Sequence, residues 1–352
     1  MHPPSLHADH LILASQVNSA SIRGLFRAEA GKIVRSTKPH DEFRGLRGVI
    51  ERAHGDAAAA LAGGVLVEDY QRARARLANG VLSGVLHVAQ CKAFEYAHGS
   101  ALPLSAVAIG GYGRQQLAPA SDLDVLFLLP ERNGDRSRAE EMLAFAIPAI
   151  WDLGFRLDHF ILSLAEYREL TNSDVKIRAS HLDTRLVWGC PGLYHTFLQA
   201  RDSLPDVTRA TLVSQLLEEA RRREGNGPSH STAEPNLKFG PGALRDIQSL
   251  HWLALLRKGK PICDPETLAQ ISTAAGYLSR VRCFLHLLTV RQQDQLTRDL
   301  QAVVASRLGF DATDDKSGEH QLLALVRHYT ATVRKVIVRL CQETEFLAAH
   351  SA

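Results

Sequence analysis

The sequence predicts an α/β domain with a small mixed sheet, followed by a helical domain. Residues 107–129 have the pattern of a strand, a glycine turn, a short helix and a second strand. Residues 225–233 are small and polar, which is typical of a domain boundary. From Ala243 onward almost every segment has helical periodicity, and 352 residues are enough for two domains.

The expected organisation therefore has three parts. Residues 1–99 form a helical N-terminal region, with helices expected at 43–53 and 68–96. Residues 100–224 form the sheet domain, and residues 225–352 form the helical domain.

Three strands are expected in the sheet domain. The first covers residues 104–109, and an apolar run at 125–129 suits a second strand that is buried on both faces. Residues 155–164 alternate loosely and form a third candidate. Ser137 and Glu140 have the spacing of a capping box, so a helix is expected to begin at Ser137.

The remaining segments are expected to be helical. In the sheet domain these are residues 166–188 and 193–223, and in the helical domain 244–256, 265–275, 278–308 and 321–349.

Composition excludes several classes of protein. A net charge of only +3 argues against a protein built mainly to neutralise nucleic-acid phosphates. The five cysteines are scattered and odd in number, which indicates neither a zinc site nor a disulfide framework. There is no apolar stretch typical of a secretory signal or of a membrane-spanning helix. These features predict a cytoplasmic protein that binds neither membrane nor nucleic acid.

The clearest chemical signal is a pair of carboxylates at the start of the second strand. Asp122 and Asp124 are two residues apart, so both project from one face of the strand while Leu123 projects from the other. Two carboxylates side by side are a suitable seat for Mg²⁺, which also keeps waters and shares substrate phosphates. The sequence therefore predicts Asp122 and Asp124 as metal ligands.

A glycine turn upstream of these carboxylates predicts a phosphate site. Gly110 and Gly111 follow the first strand, and glycine lets the backbone approach a ligand closely. Backbone N–H groups that lead into a helix bind anions, and Arg114 adds a fork of donors for phosphate oxygens. Ser121 either contacts phosphate or braces the turn, and the sequence leaves both roles open.

The two features together resemble a known family. Residues 110–124, GGYGRQQLAPASDLD, resemble the nucleotidyltransferase signature of protein-PII uridylyltransferases, whose superfamily includes DNA polymerase beta and kanamycin nucleotidyltransferase. A second motif at residues 234–252, EPNLKFGPGALRDIQSLHW, is similar to the element that follows the catalytic domain in that family. A third, fainter similarity covers residues 278–309.

The resemblance implies an enzyme of nitrogen regulation that depends on Mg²⁺. It would transfer UMP from UTP to a tyrosine hydroxyl of the PII signalling protein and release pyrophosphate. Superfamily members often use a third carboxylate from a later strand, which implies a catalytic role for Asp158, and the alternative that it is an ordinary polar residue stays open. Lys238 and Arg245 in the second motif would reach the nucleotide or the protein substrate, although a purely structural hairpin is an equal reading.

Several residues depart from the family pattern. Leu162 stands where related enzymes have arginine, Phe239 where they usually have glutamate, and Ala243 where they usually have glycine. His159 matches the family, but we interpret it as a structural histidine. Asp183 also matches an acidic family position, yet we expect it to form a helix-surface salt bridge with Arg185.

The family continues with a phosphohydrolase domain and two glutamine-sensing domains, which this sequence does not contain. We therefore expect the chain at most to add a nucleotide, without removing it or sensing glutamine. Two alternatives stay open. One is the same chemistry on a different protein or on a small molecule, and the other is a catalytically silent regulatory or interaction protein. A nucleic-acid polymerase is disfavoured by the near-neutral charge.

Overall fold

A computed structural model describes residues 23–28, 39–94, 102–173, 175–203, 206–225, 233–257, 261–312 and 316–350. The chain forms two compact units. The first unit comprises Met1–Leu117 and Ser121–Ser203, and the second comprises Ala118–Ala120 and Leu204–Ala352. We call them the sheet unit and the helical unit. They divide at residue 204, whereas the composition of the sequence suggested a boundary at residue 225.

The sheet unit contains one mixed sheet with four strands in its described part. These are β1 (Ser105–Ile109), β2 (Leu123–Leu128), β3 (Leu157–Leu162) and β4 (Thr184–Gly189). Their order is β3-β2-β1-β4, with β2 and β3 parallel and the other two pairs antiparallel. The prediction of a small mixed sheet is confirmed, and so are its first three strands.

Both faces of the sheet are covered. Ala106, Ala108, Val125 and Phe127 belong to the larger core, which includes residues of the helices Val67–Phe94 and Asn133–Asp152. The opposite face carries Val107, Ile109, Leu126 and Leu128 in a second core with residues of the helices Leu164–Ser173 and Pro191–Asp202. Burial on both faces explains why β1 and β2 are almost continuously apolar rather than alternating.

Seven helices of the described part accompany the sheet, together with a helical segment at residues 23–28. They are α1 (Pro39–Ala62), α2 (Val67–Phe94), α3 (Gly110–Gly113), α4 (Asn133–Asp152), α5 (Leu164–Ser173), α6 (Val175–Ser180) and α7 (Pro191–Asp202). The helices expected at 43–53 and 68–96 are present, although α1 is longer than predicted. Helix α4 begins at Asn133, so the prediction of Ser137 as its first capping residue is wrong.

The helical prediction for residues 166–188 is correct for the described residues as far as Ser180 and wrong for the last part of the segment. The segment contains α5, α6 and the edge strand β4, which pairs with β1 from Thr184 to Gly189. The sequence of β4, TRLVWG, is rich in residues that favour strands. In so short an apolar segment, however, periodicity does not separate a strand from a helix, and pairing with the open edge of β1 decides the outcome.

The helical unit contains five helices in its described part, α8 (Asp206–Gly225), α9 (Leu244–Leu256), α10 (Pro265–Thr289), α11 (Arg298–Arg307) and α12 (Gly318–His350). Asp264 caps α10 by accepting a hydrogen bond from the Thr267 N–H at 2.8 Å. The single helix predicted at 278–308 is wrong, because α10 ends at Thr289 and a connecting segment separates it from α11. Within the described residues, none of the helices combines the length and apolarity that a membrane-spanning helix requires.

Two histidines, the buried His181 and the half-buried His54, predict that the sheet unit loses stability in mild acid. Burial lowers the pKa of His54 to about 3, helped by the charge of Arg74, and burial lowers that of His181 to about 4. Below pH 6.5 the unfolded chain therefore binds protons that the folded chain does not. The two neutral histidines contribute fully to stability above pH 6.5. Below pH 6.5, each lowers the free energy of unfolding by up to about 1.4 kcal/mol for every pH unit.

Denaturant unfolding at pH 7.5 and pH 5 measures this loss. Neither ring nitrogen of His181 has a hydrogen-bond partner within the described structure, so His181→Leu should keep the fold and reduce the pH dependence. An unchanged pH dependence in this variant would contradict the assignment to His181.

Candidate active site

The two predicted metal ligands lie where β2 begins. Asp124 is the second residue of the strand and is half-buried, and Asp122 comes immediately before the strand. The Leu123 N–H donates to the Arg156 carbonyl at 2.8 Å, which fixes the backbone between the two aspartates. Leu123 is buried in the larger core, so Asp124 projects from the opposite face of the sheet.

The glycine turn lies directly against Asp124. Gly110 has φ +56°, a left-handed conformation that glycine adopts without strain. A Cβ atom at Gly110 would lie 3.3 Å from Oδ2 of Asp124. The structure therefore brings together the predicted phosphate turn and one predicted metal ligand, which are fourteen residues apart in the chain.

Backbone hydrogen bonds hold the turn in a compact form. The Arg114 N–H donates to the Gly110 carbonyl at 3.1 Å, and the Gln116 N–H donates to the Gly111 carbonyl at 2.8 Å. Gln115 also has a left-handed backbone, with φ +61°. A non-glycine residue in this region is uncommon and is held by its surroundings.

Arg114 and Asp183 form a largely buried ion pair beside the turn. The Arg114 guanidinium donates to Oδ2 of Asp183, and its Nε donates to Gln116 at 2.8 Å. The predicted surface pair between Asp183 and Arg185 is therefore wrong. Asp183 lies at the entry to β4 rather than on a helix surface, and its side chain is only 4% exposed.

Arg185 has different partners. It donates to the Tyr112 carbonyl at 3.1 Å and to Asn79 Oδ1 at 3.2 Å, and its guanidinium lies 5.3 Å from the Tyr112 ring centroid. The Tyr112 hydroxyl donates to the same Asn79 oxygen at 2.8 Å. The turn is thus held by Asp183, Arg185 and Asn79. None of the three was predicted from the sequence to be part of the site.

The third predicted carboxylate, Asp158, lies opposite Asp124 in the parallel β2–β3 pair. Residues opposite each other in neighbouring strands project from the same face, so Asp158 shares the face of Asp124. Asp158 is exposed, and Asp122 forms an ion pair with Arg156 at 2.7 Å. Among the described residues, no three His, Cys, Asp or Glu side chains come together as a metal-binding group.

His159 projects away from these carboxylates. It pairs with Val125 across β2 and β3, and its ring lies edge-on to Phe127 at 6.2 Å. Both neighbours belong to the larger core. The interpretation of His159 as a structural histidine agrees with this position.

The residues at the mouth of β2 fit a magnesium ion. Mg²⁺ is usually bound by one or two carboxylates, with waters and substrate phosphates completing its coordination, so a three-residue protein cluster is not required. Asp122 and Asp124 supply hard oxygen ligands. Gly110 has no side chain, which leaves space beside Oδ2 of Asp124.

Lys238 and Arg245 lie in the helical unit, and both contact one aromatic ring. The Lys238 Nζ lies 5.0 Å from the ring centroid of Phe239, and the Arg245 guanidinium lies 5.5 Å from it. The Arg245 N–H donates to the Lys238 carbonyl at 2.8 Å. Phe239 is 42% exposed, so the cluster places two cations and an aromatic ring near the surface of this unit.

The loop that carries this cluster is fixed by a buried aspartate. Asp246 accepts from the Gly242 N–H at 2.7 Å and from Arg223 Nε at 2.8 Å. Burial raises the pKa of Asp246, while Arg223 and the Gly242 N–H oppose that shift. Gly242 has φ +71°, and a Cβ there would lie 2.0 Å from the Thr330 carbonyl oxygen, so only glycine fits.

Two comparisons with known proteins show which proteins this chain resembles. The family described as GlnD PII-uridylyltransferase matches residues 211–341. A bifunctional uridylyltransferase/uridylyl-removing enzyme of Azospirillum brasilense is 32% identical over 305 residues, covering 83% of this chain and 32% of the relative. The enzyme of the same name from Bradyrhizobium diazoefficiens is 29% identical over 318 residues, covering 84% of this chain and 33% of that relative.

This chain carries a domain of the PII-uridylyltransferase family. The match to the relatives extends well beyond the region that the family model covers. The chain spans about a third of the length of these curated relatives.

The glycine turn offers a matched pair of substitutions. A Cβ at Gly113 would lie 2.3 Å from the Asp183 carbonyl oxygen, whereas a Cβ at Gly111 meets its nearest atom at an ordinary 3.7 Å. Gly113→Ala should therefore lower the free energy of unfolding by about 1–3 kcal/mol, the usual cost of overpacking. Gly111→Ala should change it much less. Equal stability losses, measured by urea unfolding, would show that the turn does not pack against β4 as described.

Proposed function

We propose that the chain is a Mg²⁺-dependent nucleotidyltransferase that transfers UMP from UTP to a tyrosine hydroxyl of a PII-type signalling protein. The observation that carries this proposal is the contact between the Gly110 turn and the Asp124 carboxylate. A phosphate-binding turn beside metal-binding carboxylates is what a nucleoside triphosphate with its Mg²⁺ requires.

In this proposal Asp122 and Asp124 hold Mg²⁺. When bound, Mg²⁺ neutralises charge on the triphosphate and favours the deprotonated form of the attacking hydroxyl. The backbone N–H groups of Gly110 and Gly111 bind phosphate oxygens, and Ser121 contacts phosphate or braces the loop before Asp122. Arg114 faces the phosphates from the turn while Asp183 fixes its guanidinium.

The transfer itself exchanges one bond for another. The tyrosine oxygen forms a bond to the α-phosphorus, and the bond from that phosphorus to the bridging oxygen of the β-phosphate breaks. Pyrophosphate carries away the bonding electron pair. Asp158 shares a face with Asp124 and is exposed, so it is the candidate acceptor for the hydroxyl proton.

Lys238 and Arg245 are proposed to bind nucleotide or acceptor from the helical unit. Both charges lie close to the Phe239 ring, and such a combination can stack on a base or on another aromatic group while pairing with phosphate. Phe239 replaces the glutamate that the family usually has, which is the specific reason to keep a different acceptor as the second candidate. In that case the chemistry at Asp122 and Asp124 is unchanged.

The support for UTP and PII comes from the relatives. Their names describe uridylyl transfer and removal, and the matching family is described as a PII-uridylyltransferase. We extend only the transfer reaction to this chain, because the residues that motivate the proposal are those of the turn and the carboxylates.

Transfer of label from α-labelled UTP to purified PII tests the proposal. ATP, CTP and GTP serve as competing donors. Asp124→Asn should reduce transfer by at least about 100-fold. Mutation of a residue that only supports a metal ligand lowers activity by up to about 100-fold, and loss of the ligand itself should lower it at least as much. The matched control is Asp69→Asn, which removes an exposed carboxylate paired with Arg72 and should leave the rate unchanged.

Three outcomes are distinguishable. UTP-dependent label on PII that disappears in Asp124→Asn supports both the acceptor and the metal role. Release of pyrophosphate that needs Mg²⁺ and Asp124, without label on PII, retains the chemistry and rejects this acceptor. No transfer and no pyrophosphate with any nucleotide would favour a catalytically silent regulatory protein.

A further inference from the structure

A short segment of the helical unit leads directly into the predicted metal ligands. Ala118–Ala120 belong to this unit, and the chain continues from Ala120 through Ser121 to Asp122. The Ala120 N–H donates to Nδ1 of His286, on α10, at 3.2 Å. A side chain from a distant helix thus fixes the backbone two residues before the first carboxylate.

This contact determines the protonation of the histidine. A backbone N–H can only donate, so Nδ1 of His286 is the acceptor and carries no proton. The proton of the neutral ring is then on Nε2, which donates to Oδ1 of Asp294 at 3.2 Å. Both ring nitrogens are used, and the residue is 1% exposed. Burial lowers the pKa of His286, which is consistent with the neutral form.

Asp294 is held in turn by other groups of the helical unit. Arg282, one helical turn before His286, donates from Nε to Oδ1 of Asp294 at 2.6 Å. The Leu237 N–H donates to the Asp294 carbonyl at 2.7 Å. Burial pushes the pKa of Asp294 upward, but hydrogen bonds from His286 and Arg282 outweigh this effect and keep the pKa well below its usual value.

The same cluster lies near the second sequence motif. Leu237 and Lys238 are consecutive in that motif, and the charge of Lys238 contributes to lowering the pKa of both His286 and Asp294. Asn236 of the motif pairs with Gln295. The second family-like segment therefore contacts the third, and His286 of the third contacts Ala120 in the segment that precedes the carboxylates.

We propose that His286 is a positioning residue for the metal-binding loop, oriented by Asp294 and Arg282. Its role is to hold the Ala120 N–H, and through the backbone to restrict where Ser121 and Asp122 lie. The step from loop to metal rests on the proposed function, whereas the contact with Ala120 does not. An interaction of this kind acts through another group, as residues behind metal ligands do.

Two amide substitutions distinguish the hydrogen bond of Nδ1 from that of Nε2 in His286. In His286→Asn the amide oxygen can occupy the position of Nδ1 and accept from Ala120, while the bond to Asp294 is lost. In His286→Gln the amide reaches the position of Nε2 and can bond Asp294, while the acceptor for Ala120 is lost. Asp264→Ala is the control, because it removes the N-cap of the same helix far from His286.

The first measurement is hydrogen exchange of the Ala120 amide by NMR. Exchange should rise about 3- to 10-fold in His286→Gln, the change expected for one lost hydrogen bond. It should stay near the native rate in His286→Asn and Asp264→Ala. Unchanged exchange in His286→Gln, or an equal rise in all three variants, would overturn the assignment.

The second measurement is binding of Mn²⁺ by electron paramagnetic resonance, which needs no turnover. His286→Gln should weaken Mn²⁺ binding about 3- to 10-fold relative to His286→Asn, since only the latter retains the loop contact. Equal affinities would overturn the positioning role even if Ala120 exchange changes. If the native protein binds no Mn²⁺, the metal site of the proposed function fails, and the Ala120 contact is still decided by exchange.

Discussion

The candidate site depends on the close approach between the backbone at Gly110 and the carboxylate of Asp124. A Cβ atom at Gly110 would lie 3.3 Å from Oδ2 of Asp124, so a residue without a side chain keeps this space open. Glycine also adopts φ +56° without strain. The antiparallel pairing of β1 and β2 makes this approach possible, because the end of β1 lies beside the beginning of β2. Sheet register therefore determines which glycine faces which carboxylate.

The turn is supported by residues that have no chemical role in the proposed transfer. Asp183 holds Arg114, Arg185 holds the Tyr112 carbonyl, and Asn79 accepts hydrogen bonds from both Arg185 and Tyr112. Removing one member of such a buried polar network leaves its partners unsatisfied. Divergence in these supporting residues would therefore affect the geometry of the turn before it affects the carboxylates.

The turn and the first three strands could be predicted from the sequence, because alternation and glycine chemistry act over a few residues. The role of Asp122 and Asp124 as metal ligands stays a prediction. Sequence analysis failed for β4, whose identity depends on pairing with β1 rather than on its own pattern. It also missed contacts between distant residues, such as Arg114 with Asp183 and Ala120 with His286, which lie 69 and 166 positions apart.

The proposed function requires that Asp122 and Asp124 hold a metal ion that carries a nucleotide on the Gly110 turn. A crystal structure with Mn²⁺ and a non-hydrolysable UTP analogue tests it directly, because Mn²⁺ is located by its anomalous scattering. We expect Mn²⁺ within about 2.2 Å of oxygens from both aspartates. We also expect the N–H groups of Gly110 and Gly111 to donate hydrogen bonds to triphosphate oxygens. Nucleotide bound elsewhere, or Mn²⁺ absent from both carboxylates, would contradict it.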